Sequence, residues 1–148
     1  MAACTFFGHR DCPDWIKPIL CETLEKLIVN HCVSMFYVGN QGRFDALVRS
    51  VLRALRDKYP HINYAVVLAY VPGKSHGHQD NGDTMLPEGI ESVHPRYAIS
   101  WRNDWMLRQS DFVVAYIAHA WGGAARYAQK AARLHKVVCN LPVQDLQD

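Results

Sequence analysis

The chain predicts an α/β fold: a mostly parallel, five-stranded sheet in the order 3-2-1-4-5, sandwiched between two layers of helices. Three observations predict it. Short apolar runs of strand length alternate with longer runs whose apolar residues recur every three or four positions. One run, Tyr64–Tyr70, is continuously apolar, as a strand covered on both faces should be. The 148 residues, 49% hydrophobic and 20% charged, suit a single domain with its own core. In this strand order ligands bind outside the carboxyl ends of strands 1 and 4, where the chain reverses its direction of travel across the sheet.

The elements follow in order. Cys4–Phe7 is a short apolar strand. Pro13–Asn30 is a helix, with Pro13 near its start and a stripe of Ile16, Leu20, Leu24, Leu27 and Ile28. Val33–Val38 is the second strand. Phe44–Tyr59 is a helix carrying Phe44, Leu47, Val48, Val51, Leu52 and Leu55 on one face. Tyr64–Tyr70 is the third strand. Val71–His94 breaks the alternation: it is polar, holds Gly73, Gly77, Gly82, Gly89, Pro72 and Pro87, and reads as a long inserted loop serving as a lid or an oligomer contact. Arg96–Gln109 is a helix with Pro95 at its mouth, and Phe112–Ile117 is the fourth core strand. Ala124–Leu134 is an alanine-rich helix, and Val137–Leu141 closes the sheet.

Composition sets bounds on function. The net charge of +2 is mild, so nucleic acid is not expected as a partner. Ten arginines against six lysines lean toward fork-shaped contacts with phosphate or carboxylate. No apolar run reaches the ~20 residues of a membrane span, and a strand pattern from about Ala3 leaves no room for a signal peptide; the expectation is a cytoplasmic protein with no membrane partner. Cys4, Cys12, Cys21, Cys32 and Cys139 lack metal or redox spacing and read as reduced, mostly buried residues. Cys12, in an exposed turn, is the one redox candidate.

Three glycine turns carry the chemistry. Gly8-His9-Arg10 follows the first strand: glycine permits close approach, Arg10 grips an anion, and His9 hydrogen-bonds or titrates. Gly39-Asn40-Gln41-Gly42 precedes a helix start, where free amides suit an anion, and Asp45 is placed either to accept from ribose hydroxyls or to stabilise the helix dipole from its first turn. Trp121-Gly122-Gly123 follows the fourth strand, and Arg126 lies in the next helix's first turn, where a cation opposes the dipole and suggests an anionic partner. Arg102 and Asn103 share a helix with Trp101 and Trp105, whose spacing of four puts them on one face; at least one tryptophan is expected in the core and the two polar residues at the ligand. His76, His78 and Asp80 form a cluster without a partner cluster and read as a solvated loop, so no metal and no cofactor is expected.

Taken together, Gly8-His9-Arg10, Val38-Gly39-Asn40-Gln41-Gly42-x-Phe44-Asp45, Pro95-Arg96-Tyr97-Ala98-Ile99-x-Trp101-Arg102-Asn103-x-Trp105-Met106, Gln109-Ser110-Asp111-Phe112-Val113-Val114 and Trp121-Gly122-Gly123-Ala124 resemble small bacterial and phage members of the SLOG superfamily, close to its YpsA-like branch. The resemblance spans about residues 3 to 141. It implies a Rossmann-like three-layer fold, nucleotide-derived ligands and frequent homo-oligomers. LOG enzymes of that superfamily release bases from nucleoside monophosphates, other members sense nucleotide signals in bacterial defence, and DprA relatives bind single-stranded DNA. The LOG enzymes carry a Pro-Gly-Gly-x-Gly-Thr-x-x-Glu loop. Here the threonine is missing and no Asp or Glu occurs from Ala124 to Leu134, leaving only Asp45 or Asp104 to supply a catalytic carboxylate.

The expectation is therefore one domain over residues 1–148, with an insert at about 71–94. It binds a nucleotide-derived small molecule, an ADP-ribose-like or cyclic nucleotide signal, as a sensor or a sequestering protein in bacterial defence or phage counter-defence. Gly8, Gly39, Gly42, Gly122 and Gly123 bring amides to phosphates, Arg10, Arg102 and Arg126 neutralise charge, and Asp45 holds a ribose. The alternatives are a LOG-like phosphoribohydrolase using Asp45 and a DprA-like single-stranded DNA binder.

Overall fold

A computed structural model describes residues 2–71 and 83–143. Strand β1 (Ala2–Gly8) leads to helix α1 (Ile16–His31), β2 (Val33–Val38), α2 (Gly42–Lys58), β3 (Asn63–Val67) and the two-residue β4 (Thr84–Met85). Two single 3-10 turns, Ile90–Ser92 and Pro95–Tyr97, precede α3 (Ala98–Gln109), β5 (Phe112–Tyr116), α4 (Gly123–Arg133) and β6 (Val137–Asn140). The sheet order is β4-β3-β2-β1-β5-β6, and every pairing is parallel. The expected order of the five core strands is present. The sixth strand, β4, comes from the segment expected to be loop, where Val66 and Leu68 donate backbone hydrogen bonds to Asp83 and Met85 and Arg56 pairs with Asp83 at 3.1 Å. Two residues are too short a run to show a period of two, so periodicity does not reveal them.

Side-chain alternation divides the core. Cys4 and Phe6 of β1 and Val114 of β5 pack with the stripes of α1 and α2 on one face. Phe7 and Val113, one residue along in each strand, pack with Met106, Leu107, Tyr127 and Ala131 of α3 and α4 on the other. The result is three layers with β1 and β5, both strongly apolar, at the centre. Several boundaries differ from the sequence expectation. Helix α1 begins at Ile16 rather than Pro13, with the carbonyls of Pro13 and Asp14 receiving the first turn's N–H groups. The residues around Pro95 form a 3-10 turn rather than α-helix, capped by His94, whose Nδ1 accepts from the Arg96 amide. Strand β3 ends at Val67 although the apolar run continues to Tyr70, which is exposed.

Cys12 also departs from expectation. It is buried rather than exposed, and burial, reinforced by Asp11, pushes its thiol up to about 11, away from the thiolate that redox chemistry needs. The His76–Asp80 cluster lies outside the described residues, as does the 72–82 part of the expected lid; among the described residues no group of metal-ligating side chains gathers. No helix among them is long and apolar enough to cross a membrane.

Candidate functional site

The carboxyl ends of β1 and β5 are neighbours, paired from Cys4↔Phe112 to Gly8↔Tyr116. This is the switch point, because α1 and α2 lie on one face of the sheet and α4 crosses on the other. The glycine turns that follow β1 and β5 meet there through His119, the first residue of the His119–Gly123 segment at the end of the fourth core strand. Its backbone N–H donates to His9 Nε2 at 3.3 Å, and its Nδ1 lies 2.9 Å from the carbonyl of Trp121. The His9 and His119 rings stack at 3.6 Å and 16°, and the His119 and Trp121 rings stack at 3.9 Å and 18°. Three flat rings thus rise from the core to the surface: His9 is 6% exposed and Trp121 is 72% exposed. Burial first, then the adjacent His119, holds the His9 imidazole below its ordinary pKa, against an opposing pull from Asp11. His119 lies in no glycine motif; its sequence signal is its place just past the fourth core strand, where the His119–Gly123 segment begins.

The glycines divide into filled and open. A Cβ on Gly8 would collide with the Phe44 ring, one on Gly39 would lie 2.8 Å from Asp45 Oδ2, and one on Gly42 would lie 2.7 Å from Arg10 Cγ. At these three glycines, in two turns, the missing Cβ makes room for the protein's own side chains. Gly123 differs: a Cβ there meets nothing within 4 Å, and at Gly122 the nearest atom is His119 Cε1 at 3.9 Å. Gly122 also has φ +97° and ψ 172°, a backbone state open essentially to glycine alone, and no side chain caps α4 behind it.

Most of the remaining expected site residues form one hydrogen-bonded chain along the carboxyl ends of β2 and β3. Arg10 donates to Gln41 Oε1 (3.4 Å), and Gln41 Nε2 donates to Asn40 Oδ1 (3.4 Å). Arg102 donates to Asn40 Oδ1 (3.4 Å), the Val67 carbonyl (2.9 Å) and Asn103 Oδ1 (2.9 Å). Arg102 is buried, and burial lowers its pKa. Asp45 is buried beside it and accepts from the Gln41 amide at 2.9 Å, so the start of α2 is served by the protein's own carboxylate. Burial pushes Asp45 up to about 6, although the Gln41 hydrogen bond and the charges of Arg102, Arg49 and Arg10 all favour its ionised form. Asp104, the other carboxylate that a hydrolase could use, pairs with Lys130 at 2.6 Å. Arg126 stands exposed in the first turn of α4.

No Asp or Glu occurs between Asp111 and Asp145. Of the cations in that stretch, Arg126 stands at this edge in the first turn of α4, Lys130 pairs with Asp104, and Arg133 and Lys136 lie where α4 ends and β6 begins, at the opposite edge of the sheet. Of the expected tryptophans, Trp105 packs edge-on against Tyr37 at 5.2 Å beside the α3–α4 core.

No family model and no curated protein matches the chain. Its fold is similar to solved structures. DNA processing protein A (DprA) from Streptococcus pneumoniae is 14% identical over 99% of this chain and 52% of that one, with a TM-score of 0.72. DNA processing protein A from Helicobacter pylori, solved for its single-stranded DNA binding mode, is 16% identical over 99% of this chain and 67% of that one, with a TM-score of 0.60. The chain thus spans about half the length of the first of these structures. The likenesses show the fold, a Rossmann-like α/β sandwich. They also overturn the expectation that nucleic acid is not a partner, since a structural neighbour binds single-stranded DNA. The physical reason lies in scale: a net charge of +2 averages the whole surface, whereas a phosphate responds to charges within roughly 10 Å.

Proposed function

We propose that the chain binds single-stranded nucleic acid across the carboxyl edge of its sheet. The observation that carries this reading is the open Gly122-Gly123 turn at the start of α4, set in an acid-free stretch beside the exposed Arg126. Its first-turn amides and partial positive charge suit one backbone phosphate, and the cationic side chains suit its neighbours. Arg10, exposed on the first glycine turn and tied to Gln41, supports the opposite side. The single-stranded DNA binding mode of the Helicobacter pylori neighbour supports the same choice. Fluorescence anisotropy with a short labelled oligothymidine tests it. Binding should weaken steeply with salt, and Arg10→Ala or Arg126→Ala should each lower the slope of log affinity on log salt by about 0.7 to 1. Salt-independent binding, or no binding at low salt, would remove the proposal.

A second reading, capture of a nucleotide-derived small molecule, draws on the buried Asp45–Arg102 group, which offers a carboxyl and a guanidinium together at the ends of β2 and β3. Native mass spectrometry of freshly purified protein reads it directly, as a mass adduct that Arg102→Gln removes.

A further inference from the structure

We infer that Trp121, backed by His119 and His9, is a stacking platform for one base of the bound strand. The inference rests on the single-strand reading above and adds to phosphate contact a seat for the base.

An exposed tryptophan on a glycine-rich turn would ordinarily sample several rotamers. Here one face is covered by the His119 ring at 3.9 Å, and His119 is itself held by its hydrogen bonds to His9 Nε2 and to the Trp121 carbonyl. His9, the innermost ring, is 6% exposed and also donates its backbone N–H to the Tyr116 carbonyl. The indole is therefore fixed by a column of rings anchored in the core, with 72% of the residue still facing solvent. A planar aromatic landing on the free face continues a stack already three rings deep, and the ordering of the tryptophan is largely complete before the ligand arrives.

The electrostatics select the occupant. An indole face also attracts cations. A cationic side chain or ammonium ligand would, however, meet the positive start of α4 and the exposed Arg126, while Asp11 acts on the far, buried His9 end of the ring column. A nucleobase carries no charge and brings a phosphate on its sugar, so its stacking and its charge are both accommodated. Stacking also tolerates any base, since each has a π-face. His119 and His9 do not touch the base in this arrangement; they are positioning residues that act through Trp121.

The test compares oligothymidine with an abasic oligonucleotide of the same length, by anisotropy, on the full chain and on Trp121→Ala, Trp121→Phe and His119→Ala. The expected result is a loss of about 10- to 100-fold in oligothymidine affinity for Trp121→Ala, a smaller loss for His119→Ala, and near-complete retention for Trp121→Phe, with abasic affinity unchanged in all three. Oligothymidine binding by Trp121→Ala at the wild-type level, or an equal loss on the abasic strand, overturns the platform while leaving strand binding intact. Failure of the unsubstituted protein to bind either strand overturns both readings. Displacement of the oligonucleotide by equimolar thymidine monophosphate reassigns the platform to a free nucleotide and overturns the strand as its source.

Discussion

At the scale of single residues, burial outweighs charge at Asp45. Three guanidinium groups act on its carboxyl, yet its pKa is raised to about 6 because desolvation of the ionised form is larger than their combined attraction. A raised carboxyl pKa means that the native state holds its proton more tightly than the unfolded chain does. Stability from this group is therefore fully present below about pH 4 and is lost as pH rises through about 6, a difference on the order of 3 kcal/mol at neutrality. Asp45→Asn keeps an acceptor for the Gln41 amide and cannot ionise. Urea unfolding should find it more stable than the parent at pH 7.5, with the gap closing toward pH 4; a gap that stays constant across that range would contradict the account. His9 runs the opposite way. Its depressed pKa places its stabilising contribution above its ordinary titration range, and that contribution is lost as pH falls through it. Asp45 could be singled out from the sequence, as a carboxylate four residues after Gln41 at a helix start. Its burial could not, because Arg102 reaches it from an element more than fifty residues away.

The element scale separates glycines whose missing Cβ is filled by a neighbouring side chain from glycines that leave open space. Gly8 lets α2 lie close to the end of β1, where the Phe44 ring occupies the space a Cβ would take. Gly8→Ala should therefore cost about 1–3 kcal/mol by overpacking. Gly123 heads α4 with nothing within 4 Å, so Gly123→Ala should leave thermal unfolding unchanged or slightly higher, since alanine is the better helix former, while weakening oligonucleotide binding at the helix start. Calorimetry and anisotropy on the same two variants check this pairing; a Gly123→Ala protein that binds as well as the parent would return the turn to a purely structural role. In sequence both turns look alike, a glycine between a strand and a helix. What distinguishes them is the bulk of the side chain arriving from a neighbouring element.

For the whole molecule, the sheet's centre and its edges differ in support. β1 is paired on both sides and covered on both faces, whereas β4 has two residues and β6 carries an exposed Val137 at the open edge. Native-state hydrogen exchange should therefore be slowest for interior amides of β1, β2 and β5 and fastest for β4 and the outer amides of β6. Equal protection across all six strands would show a more cooperative unit than the packing implies. The order of elements, the five core strands and the two helical layers were legible along the chain, because hydrophobic periodicity is local and a right-handed crossover leaves few topologies to choose among. The neighbouring of the two glycine turns at the ends of strands one and four was legible too, since it follows from the strand order. Tertiary structure alone decided which glycines stay open, that Asp45 and Cys12 are buried, and that His9 and His119, 110 residues apart, stack under Trp121. Those outcomes depend on distances between segments remote in sequence, which no local pattern encodes and which only the packed sheet brings within contact.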